Sequence, residues 1–263
     1  MPAGYDPRHF EAFVKIEDRH FWFLARNRAL SAVVEGIVAD LASGYRVLEV
    51  GCGDGNTLRM LEQTCVGSRP VGMDLFAEGL LYARRRTDAL LVRGRMEQPP
   101  FSVRFHLVGL FDVLEHLEDD RAVLKLLRAL VEPGGALILT VPAHQKLWSR
   151  FDEEAHHCRR YDPASLEARL IEAGFEVEYL TLFMMALYPL ARVGRKVSDW
   201  LRRARKRRGR PEGSAVANEI RIRPGINGLL AATLSPERHL MKRRWRLPFG
   251  TSILAVARIQ NHE

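Results

Sequence analysis

The sequence predicts an α/β fold in which a mostly parallel sheet of seven strands carries helices on both faces. Short apolar runs alternate with amphipathic patterns of helical period along most of the chain. Glycine, proline or aspartate follows several of these runs, as expected where strands end in tight turns. Such alternation is typical of βαβ units wound around one parallel sheet. With 263 residues, of which 47% are hydrophobic and 27% charged, the chain has the composition of one globular domain.

The predicted strands are short, apolar and spread over most of the chain. They cover residues 47–50, 70–74, 90–93, 105–111, 136–141, 176–182 and 251–257. The predicted helices cover two segments within residues 8–42, and then residues 56–65, 75–86, 119–131 and 162–174. An aromatic cluster, residues 20–23 (HFWF), is expected to lie between the first two helices. Residues 133–135 (PGG) should turn the chain into the fifth strand, and Asp162 and Pro163 should start the last of these helices.

The segment between the last two strands is longer than a connection needs, and we interpret it as a helical insertion. Between Arg192 and Arg246 lie 17 of the 40 Lys and Arg residues but only 4 of the 32 acidic ones. The single predicted domain, residues 1–263, therefore has three parts. They are an N-terminal helical cap (1–43), a core (44–184 and 248–260) and a basic helical insertion (185–247).

The composition also bears on the compartment. The first ten residues lack the apolar run of a signal peptide, and the longest apolar stretch, residues 179–191, is too short to span a bilayer. The three cysteines, Cys52, Cys65 and Cys158, form no CxxC motif and no even disulfide framework. A reducing environment suits this pattern, so we expect a cytoplasmic protein.

A glycine-rich turn, residues 51–55 (GCGDG), follows the first strand, at the edge where parallel sheets bind ligands. Its GxGxG spacing differs from the GxGxxG of dinucleotide-binding turns and favours a smaller adenosyl ligand. Asp74 ends the second strand and could accept hydrogen bonds from both ribose hydroxyls, or could instead cap the following helix. Glu49 lies among apolar residues, and its buried carboxylate needs a partner, either a ligand amino group or the backbone of the turn.

Four segments resemble motifs of the class I S-adenosylmethionine (SAM) dependent methyltransferases. Residues 47–55 (VLEVGCGDG) resemble the first motif, 71–74 (VGMD) the second, 111–117 (FDVLEHL) the fourth and 130–135 (LVEPGG) the next. Among familiar members, the chain is most similar to the methyltransferases of ubiquinone and menaquinone biosynthesis. The resemblance implies a Rossmann-like fold, SAM as the cofactor, and methyl transfer to an oxygen, nitrogen or carbon of a small-molecule or lipid-like acceptor.

The resemblance also implies which residues contact SAM. An N-terminal arginine reaches the methionyl carboxylate in relatives, and Arg26 is its best match. Relatives place an acidic residue near the adenine after the third strand, whereas this chain has Arg95, which cannot accept a hydrogen bond. Either Glu97 or backbone groups must then hold the adenine. The predicted cofactor-binding residues are Arg26, Glu49, Gly51, Cys52, Gly53, Asp74, Leu75, Arg95, Met96, Leu110, Phe111 and His116.

Candidates for acid–base chemistry follow the fifth strand. A hydroxyl or amine acceptor is helped by a general base, and the candidates are His144, His156 and His157, although a lone histidine is often structural. Residues 112–116 (DVLEH) carry the groups that some quinone-pathway relatives use for a divalent cation. Relatives that bind no metal have the same residue types at these positions, and we predict no metal.

Three further residues are predicted to contact the acceptor: Trp22, Arg160 and Tyr161. Trp22 and its neighbour Phe23 could form a lid over the cofactor or pack on the core. The two interpretations are compatible, since one ring can pack while the other faces the ligand.

The insertion suggests a further partner. Apolar residues within 182–193 lead into a run of arginines over residues 192–210, and residues 229–245 repeat this mixture. The pattern is typical of a helix lying in a membrane interface and predicts weak association with an anionic surface, peripheral at the inner membrane. The alternative is a helical lid with a solvated basic face.

Other functions stay open. The arginine-rich run at residues 202–208 would suit RNA, which makes an RNA methyltransferase one alternative. A SAM-binding protein without catalysis is another. The glycine spacing disfavours an NAD-dependent dehydrogenase.

Overall fold

A seven-stranded sheet forms the centre of the protein. The computed structural model describes residues 9–194, 214–216 and 221–259. The strands are β1 (Val47–Val50), β2 (Val71–Asp74), β3 (Leu90–Arg93), β4 (Phe105–Phe111), β5 (Val131–Pro142), β6 (Glu176–Phe183) and β7 (Ser252–Arg258). Their order is β3-β2-β1-β4-β5-β7-β6, and β7 is antiparallel to both of its neighbours while the other pairs are parallel. The predicted α/β fold with a mostly parallel sheet is confirmed.

Helices cover both faces of this sheet. They are α1 (His9–Val14), α2 (Phe21–Val38), α3 (Asn56–Thr64), α4 (Ala77–Ala83), α5 (Asp120–Leu130), α6 (Arg150–Glu154), α7 (Pro163–Glu172) and α8 (Pro224–Lys242). Alternate residues of β5 pack into different apolar clusters, because successive side chains of a strand point to opposite faces. Leu137 and Leu139 pack with α5 and α7, whereas Ile138 packs with α2, α3 and α8. A strand buried on both faces reads as a continuous apolar run, which is why the sequence pattern located it.

Two boundaries differ from the prediction. β5 already begins at Val131, so residues 133–135, predicted as a turn, lie within it. Gly134 adopts a positive φ of 74°, and the pairing between β4 and β5 shifts register between Phe105 and Leu107. The glycines therefore bend the strand rather than precede it.

The aromatic cluster is also placed differently. Phe21 begins α2, so residues 21–23 form its first turn instead of lying between helices. His20 is the N-cap, in extended conformation, and its imidazole accepts a hydrogen bond from the backbone N–H of Trp22. This side chain supplies the acceptor that an unpaired N–H at a helix start requires.

Most of the described part of the insertion is helical. Residues 187–194 and 215–216 are helical, and α8 packs along α2. Glu237 of α8 accepts hydrogen bonds from the backbone N–H groups of Met184 and Met185, both at 2.7 Å, which ties α8 to the end of β6. The arginine-rich run at 202–208 lies outside the described residues. Within the described ranges, no helix has the length and apolar character needed to cross a membrane.

Candidate functional site

A cavity of about 590 Å³ opens at the carboxyl ends of the parallel strands. The chain places β2 and then β3 on one side of β1, and afterwards returns to place β4 on the other side of β1. Ligands bind at such a switch point because the two loops that leave the adjacent strands diverge there. The residues after β1, β2, β3 and β4 all line the cavity.

The glycine-rich turn forms one wall of the cavity. Gly51, Gly53 and Gly55 have positive φ values of 75°, 53° and 82°. A Cβ on Gly51 would lie 2.6 Å from a methyl group of Val113, so this position requires glycine for space as well as for conformation. The backbone is thereby held where a ligand can approach it closely.

Asp74 fixes the turn from the neighbouring strand. Its Oδ2 accepts a hydrogen bond from the N–H of Gly53 at 2.8 Å, and its Oδ1 accepts one from Phe76 at 2.8 Å. Burial raises the pKa of Asp74, although these two N–H groups oppose the shift. The N-cap of α4 is Phe76 and has no side-chain cap, so Asp74 holds the loops rather than capping the helix. Each carboxylate oxygen keeps a lone pair for a ligand hydroxyl.

Glu49 contributes a buried carboxylate without a partner. The residue is 2% exposed, lines the cavity, and its Oε2 has no hydrogen-bond partner among the described residues. Burial raises the pKa of Glu49 well above its usual value; the nearby charge of Arg26 opposes this, and Asp74 adds to it. An unsatisfied buried oxygen is costly unless a ligand group completes it. The alternative in which the turn backbone satisfies Glu49 is not supported at this oxygen.

Arg26 lies at the floor of the same region, on α2. Its guanidinium donates to Asp112 at 2.8 Å and to Thr57 at 2.9 Å, and lies 5.0 Å from the ring centre of Trp22. Trp22 and Phe23 both line the cavity and lie beside Arg26, and Trp22 also packs against the apolar cluster around α2. The role of Trp22 as a lid stays a prediction.

The region after β3 lacks a buried acid. Arg95 and Glu97 both line the cavity, yet their side chains are 57% and 64% exposed and pair with each other at 3.7 Å. This arrangement favours the backbone of residues 94–96 over Glu97 as the holder of an adenine. Met96, Leu75, Cys52, Phe111 and His116, which were predicted to bind the cofactor, also line the cavity.

The far half of the cavity is apolar. Its walls come from Leu117, Leu147, Phe151, Leu187, Leu190 and Val216. Val216 belongs to the insertion, and Glu154 of α6 fixes that segment by accepting hydrogen bonds from the N–H groups of Ala215 and Val216. The insertion thus closes this end of the cavity.

Polar groups are concentrated at the junction of the two halves. One carboxylate oxygen of Glu115 and one ring nitrogen each of His116 and His157 all lie within 4.8 Å of one another. Glu115 is buried, and its Oε2 has no hydrogen-bond partner in the part of the chain that the structure describes. Burial, followed by the charge of Asp112, raises the pKa of Glu115 well above its usual value. Such a separation would also suit a cation. Nδ1 of His157 bonds Asp152, and the prediction that no metal binds stays a prediction.

The comparisons with known proteins agree with this geometry. The family model described as a methyltransferase domain matches residues 21–180, more than half of the chain. The chain belongs to the SAM-dependent methyltransferases. SAM is the cofactor of this family, and the unpartnered buried oxygen of Glu49 beside Asp74 and the glycine turn is compatible with such a ligand.

Three similar proteins illustrate the relationship. A Mycolicibacterium smegmatis protein, described as a probable SAM-dependent methyltransferase, is 27% identical over 62% of this chain and 62% of its own length. A ubiquinone biosynthesis O-methyltransferase of Idiomarina loihiensis is 30% identical over 40% of this chain and 46% of its own. The chain therefore spans less than two thirds of these relatives. A SAM-dependent methyltransferase from Clostridium acetobutylicum superposes with a TM-score of 0.56 at 11% identity, over 89% of this chain and 91% of that one, which shows the fold alone.

The structure separates the three histidines proposed as the base of this methyltransferase. His157 lines the cavity. His144 bonds Asp162 through Nδ1 at 3.1 Å and does not line it, and neither does His156, which has a positive φ of 57°. Residues on either side of both histidines do line the cavity, so the local backbone conformation decides which side chains face it.

Two other predicted contacts are corrected. Tyr161 is 1% exposed, and its hydroxyl donates to Asp120 at 2.8 Å within the core, so it does not reach the acceptor region. Leu110 is fully buried and does not line the cavity, whereas Phe111, which is also buried, does. Successive residues of an extended segment point to opposite sides, and the prediction assigned both to one side.

The sequence-based interpretation missed part of the cap. Phe10, Phe13 and Glu17 line the cavity. Glu17 is held by Arg86 at 2.5 Å, and Arg86 also contacts Asp54 of the glycine turn at 3.1 Å. The aromatic residues of α1 recur three residues apart, which is the signal that could have revealed an amphipathic lid.

Proposed function

We propose that this methyltransferase transfers the methyl group of SAM to a small-molecule or lipid-like acceptor held in the apolar half of the cavity. The observation that carries the proposal is the continuity of one cavity, whose cofactor end contains Glu49 and Asp74 and whose other end is apolar. When bound, SAM supplies an electrophilic methyl group on a sulfonium. The chain must bind both reactants, align them and exclude water.

Each buried polar group at the cofactor end matches one part of SAM. The unpartnered Oε2 of Glu49 suits the ammonium group of the methionyl portion. Arg26 has five N–H donors, so it can add a contact to the methionyl carboxylate beside those to Asp112 and Thr57. Asp74 accepts hydrogen bonds from the ribose hydroxyls through the lone pairs that the backbone leaves open.

The acceptor end favours an apolar body with a polar reacting group. Six aliphatic or aromatic residues form its walls, and the polar side chains lie where the two halves meet. Among the relatives, one acts in ubiquinone biosynthesis as an O-methyltransferase, which agrees with a small-molecule acceptor. We propose this class and leave the methylated atom open among oxygen, nitrogen and carbon at this point.

We further propose a weak peripheral contact between the insertion and an anionic membrane surface, with the protein itself cytoplasmic and the contact at the inner membrane. Leu190, Val193, Ile226 and Leu229 are exposed apolar residues of the helical parts of the insertion. Lys and Arg residues surround them in the sequence. Exposed apolar residues flanked by basic ones favour interfacial binding, which added salt should weaken. An amphiphilic acceptor could then reach the cavity beneath the insertion.

One assay tests the reaction and its alternatives. The protein is incubated with SAM labelled in the methyl group, together with either total bacterial lipid extract or total RNA. Label in the organic phase supports the proposal, and label in RNA alone would replace it with an RNA methyltransferase. No label in either, with SAM binding intact, would favour a SAM-binding protein without catalysis.

A sedimentation assay tests the membrane contact. Anionic vesicles at low salt should retain the protein, whereas neutral vesicles or high salt should release it. Equal recovery in the supernatant under all conditions would contradict the contact and leave the basic insertion as a solvated lid.

A further inference from the structure

His157 lies at the junction of the two halves of the cavity, and one side of its ring is fixed by a buried carboxylate. Its Nδ1 lies 2.9 Å from Oδ1 of Asp152, and its side chain is largely buried. The ring packs edge-on against His116, with ring centres 4.7 Å apart, and against Phe151 at 5.9 Å. Since Nδ1 is used by Asp152 and the residue lines the cavity, Nε2 is the nitrogen left for a ligand.

Both carboxylate oxygens of Asp152 accept several hydrogen bonds. It is fully buried on α6, and both of its oxygens are bound by Arg160, at 2.7 and 3.1 Å. The backbone N–H and hydroxyl of Ser149 bond its Oδ2. Burial raises the pKa of Asp152, but the hydrogen bonds and charges of His157 and Arg160 outweigh burial and lower it to about 2. The group is therefore a carboxylate that accepts the Nδ1 proton of the imidazole.

We propose that His157 is the general base of the reaction, that Asp152 is its positioning residue, and that the acceptor group is a hydroxyl. This inference rests on the proposed methyl transfer. Nε2 takes the proton of the acceptor hydroxyl, whose oxygen forms its bond to the methyl carbon. The carbon–sulfur bond breaks with its electron pair remaining on sulfur, and the proton stays on His157.

The neighbouring groups agree with these roles. Arg160 compensates the charge of the buried Asp152 carboxylate, which would otherwise be costly to bury. A carboxylate on Nδ1 fixes both the orientation of the ring and the tautomer in which Nε2 can accept a proton. His144 also has a carboxylate on Nδ1, but that pair lies outside the cavity.

The tautomer can be measured without knowing the acceptor. Long-range ¹H–¹⁵N NMR of the whole protein with S-adenosylhomocysteine, with His157 assigned from the spectrum of His157→Gln, reports which ring nitrogen carries the proton in the neutral form. The proposal predicts a proton on Nδ1 and an unprotonated Nε2. A proton on Nε2 would overturn it, since that nitrogen could not then act as a base.

The rate gives the second readout, with bacterial lipid extract and methyl-labelled SAM as the probe. His157→Gln, which leaves the Asp152–Arg160 pair in place, should lower labelling roughly 10²-fold or more with SAM affinity unchanged. Asp152→Asn should lower it and disturb the tautomer. His106→Gln, a histidine paired with Glu132 away from the cavity, is the matched control and should label normally.

The outcomes separate the two proposals. Near-normal labelling by His157→Gln would overturn the base assignment, while label in lipid would still support methyl transfer. A wild-type rate lost on addition of EDTA and restored by Mg²⁺ would also overturn it, because Nε2 would then be a metal ligand. If the wild type binds SAM but labels no lipid, the acceptor proposal fails, and the tautomer still decides the role of His157.

Discussion

The two halves of the cavity are built in different ways. The cofactor half is made of consecutive residues at the ends of adjacent strands, such as 51–54 and 74–76, and the sheet fixes their positions. The acceptor half is assembled from segments far apart in the sequence, among them residues 147–160, 187–191 and 216. Backbone groups and buried carboxylates dominate the first half, and apolar side chains the second. We therefore propose that the sheet edge recognises SAM, and that the cap and the insertion determine which acceptor binds.

Replacing Asp74 should have the largest effect that is confined to the cofactor half of the cavity. Asp74→Ala removes the acceptor for the Gly53 N–H and for the ribose hydroxyls, so SAM affinity should fall roughly tenfold or more. Calorimetric titration measures this, and Asp88→Ala, an exposed aspartate before β3, serves as the control. Unchanged affinity in Asp74→Ala would show that the sheet edge does not hold the cofactor.

A larger side chain at Val216 should affect the acceptor half alone. Val216 is buried in the wall that the insertion contributes, so Val216→Trp should narrow this end of the cavity. Lipid labelling should fall about tenfold, the order expected when a pocket loses its fit to a substrate, with SAM affinity unchanged within about twofold. Equal losses in labelling and in SAM binding would show that the two halves are not independent.

The cap should make stability depend on pH. Burial first, and then the charge of Asp54, raise the pKa of Glu17 to about 8 despite the ion pair with Arg86. Because Glu17 binds its proton more tightly in the folded state, its contribution is fully present below about pH 4.5 and is lost as pH rises through 8. Glu17→Gln should lessen the fall in unfolding free energy between pH 5 and pH 9 by about 1 kcal/mol or more. Urea unfolding at both pH values measures it, and parallel curves for mutant and wild type would contradict this account.

The smallest effect concerns Tyr161. Tyr161→Phe removes a hydrogen bond to Asp120, which Arg169 and Arg159 still contact, so unfolding free energy should fall by about 1 kcal/mol. SAM affinity and lipid labelling should not change, since the residue lies in the core. A loss of lipid labelling with unchanged unfolding free energy would show that Tyr161 contacts the acceptor after all.

The sequence predicted the cofactor half far better than the acceptor half, for a physical reason. Glu49, Gly51 and Asp74 occur in short local patterns, and parallel pairing of adjacent strands brings those patterns together. All three line the cavity. Leu110 was assigned to the cavity together with Phe111, because the apolar run alone does not show which of two successive strand residues faces the cavity.

In the acceptor half, the side chains of neighbouring residues point to different places. An isolated bridge between Ala143 and Tyr161 directs Tyr161 into the core, while Arg160 contacts Asp152 at the cavity. His156 and His157 diverge in the same way. Tertiary pairing of two irregular segments decides these directions, and no local pattern encodes it. The link between Glu17 and Arg86 joins positions 69 residues apart and was missed for the same reason.

The central claim is that the sheet edge of this chain binds SAM and not a dinucleotide. Isothermal titration of the whole protein with SAM, S-adenosylhomocysteine and NAD⁺ tests it directly. The account predicts saturable binding of SAM and S-adenosylhomocysteine and none of NAD⁺, because the GxGxG turn lacks the spacing that holds a pyrophosphate. No binding of SAM at millimolar concentration, or tighter binding of NAD⁺, would contradict it.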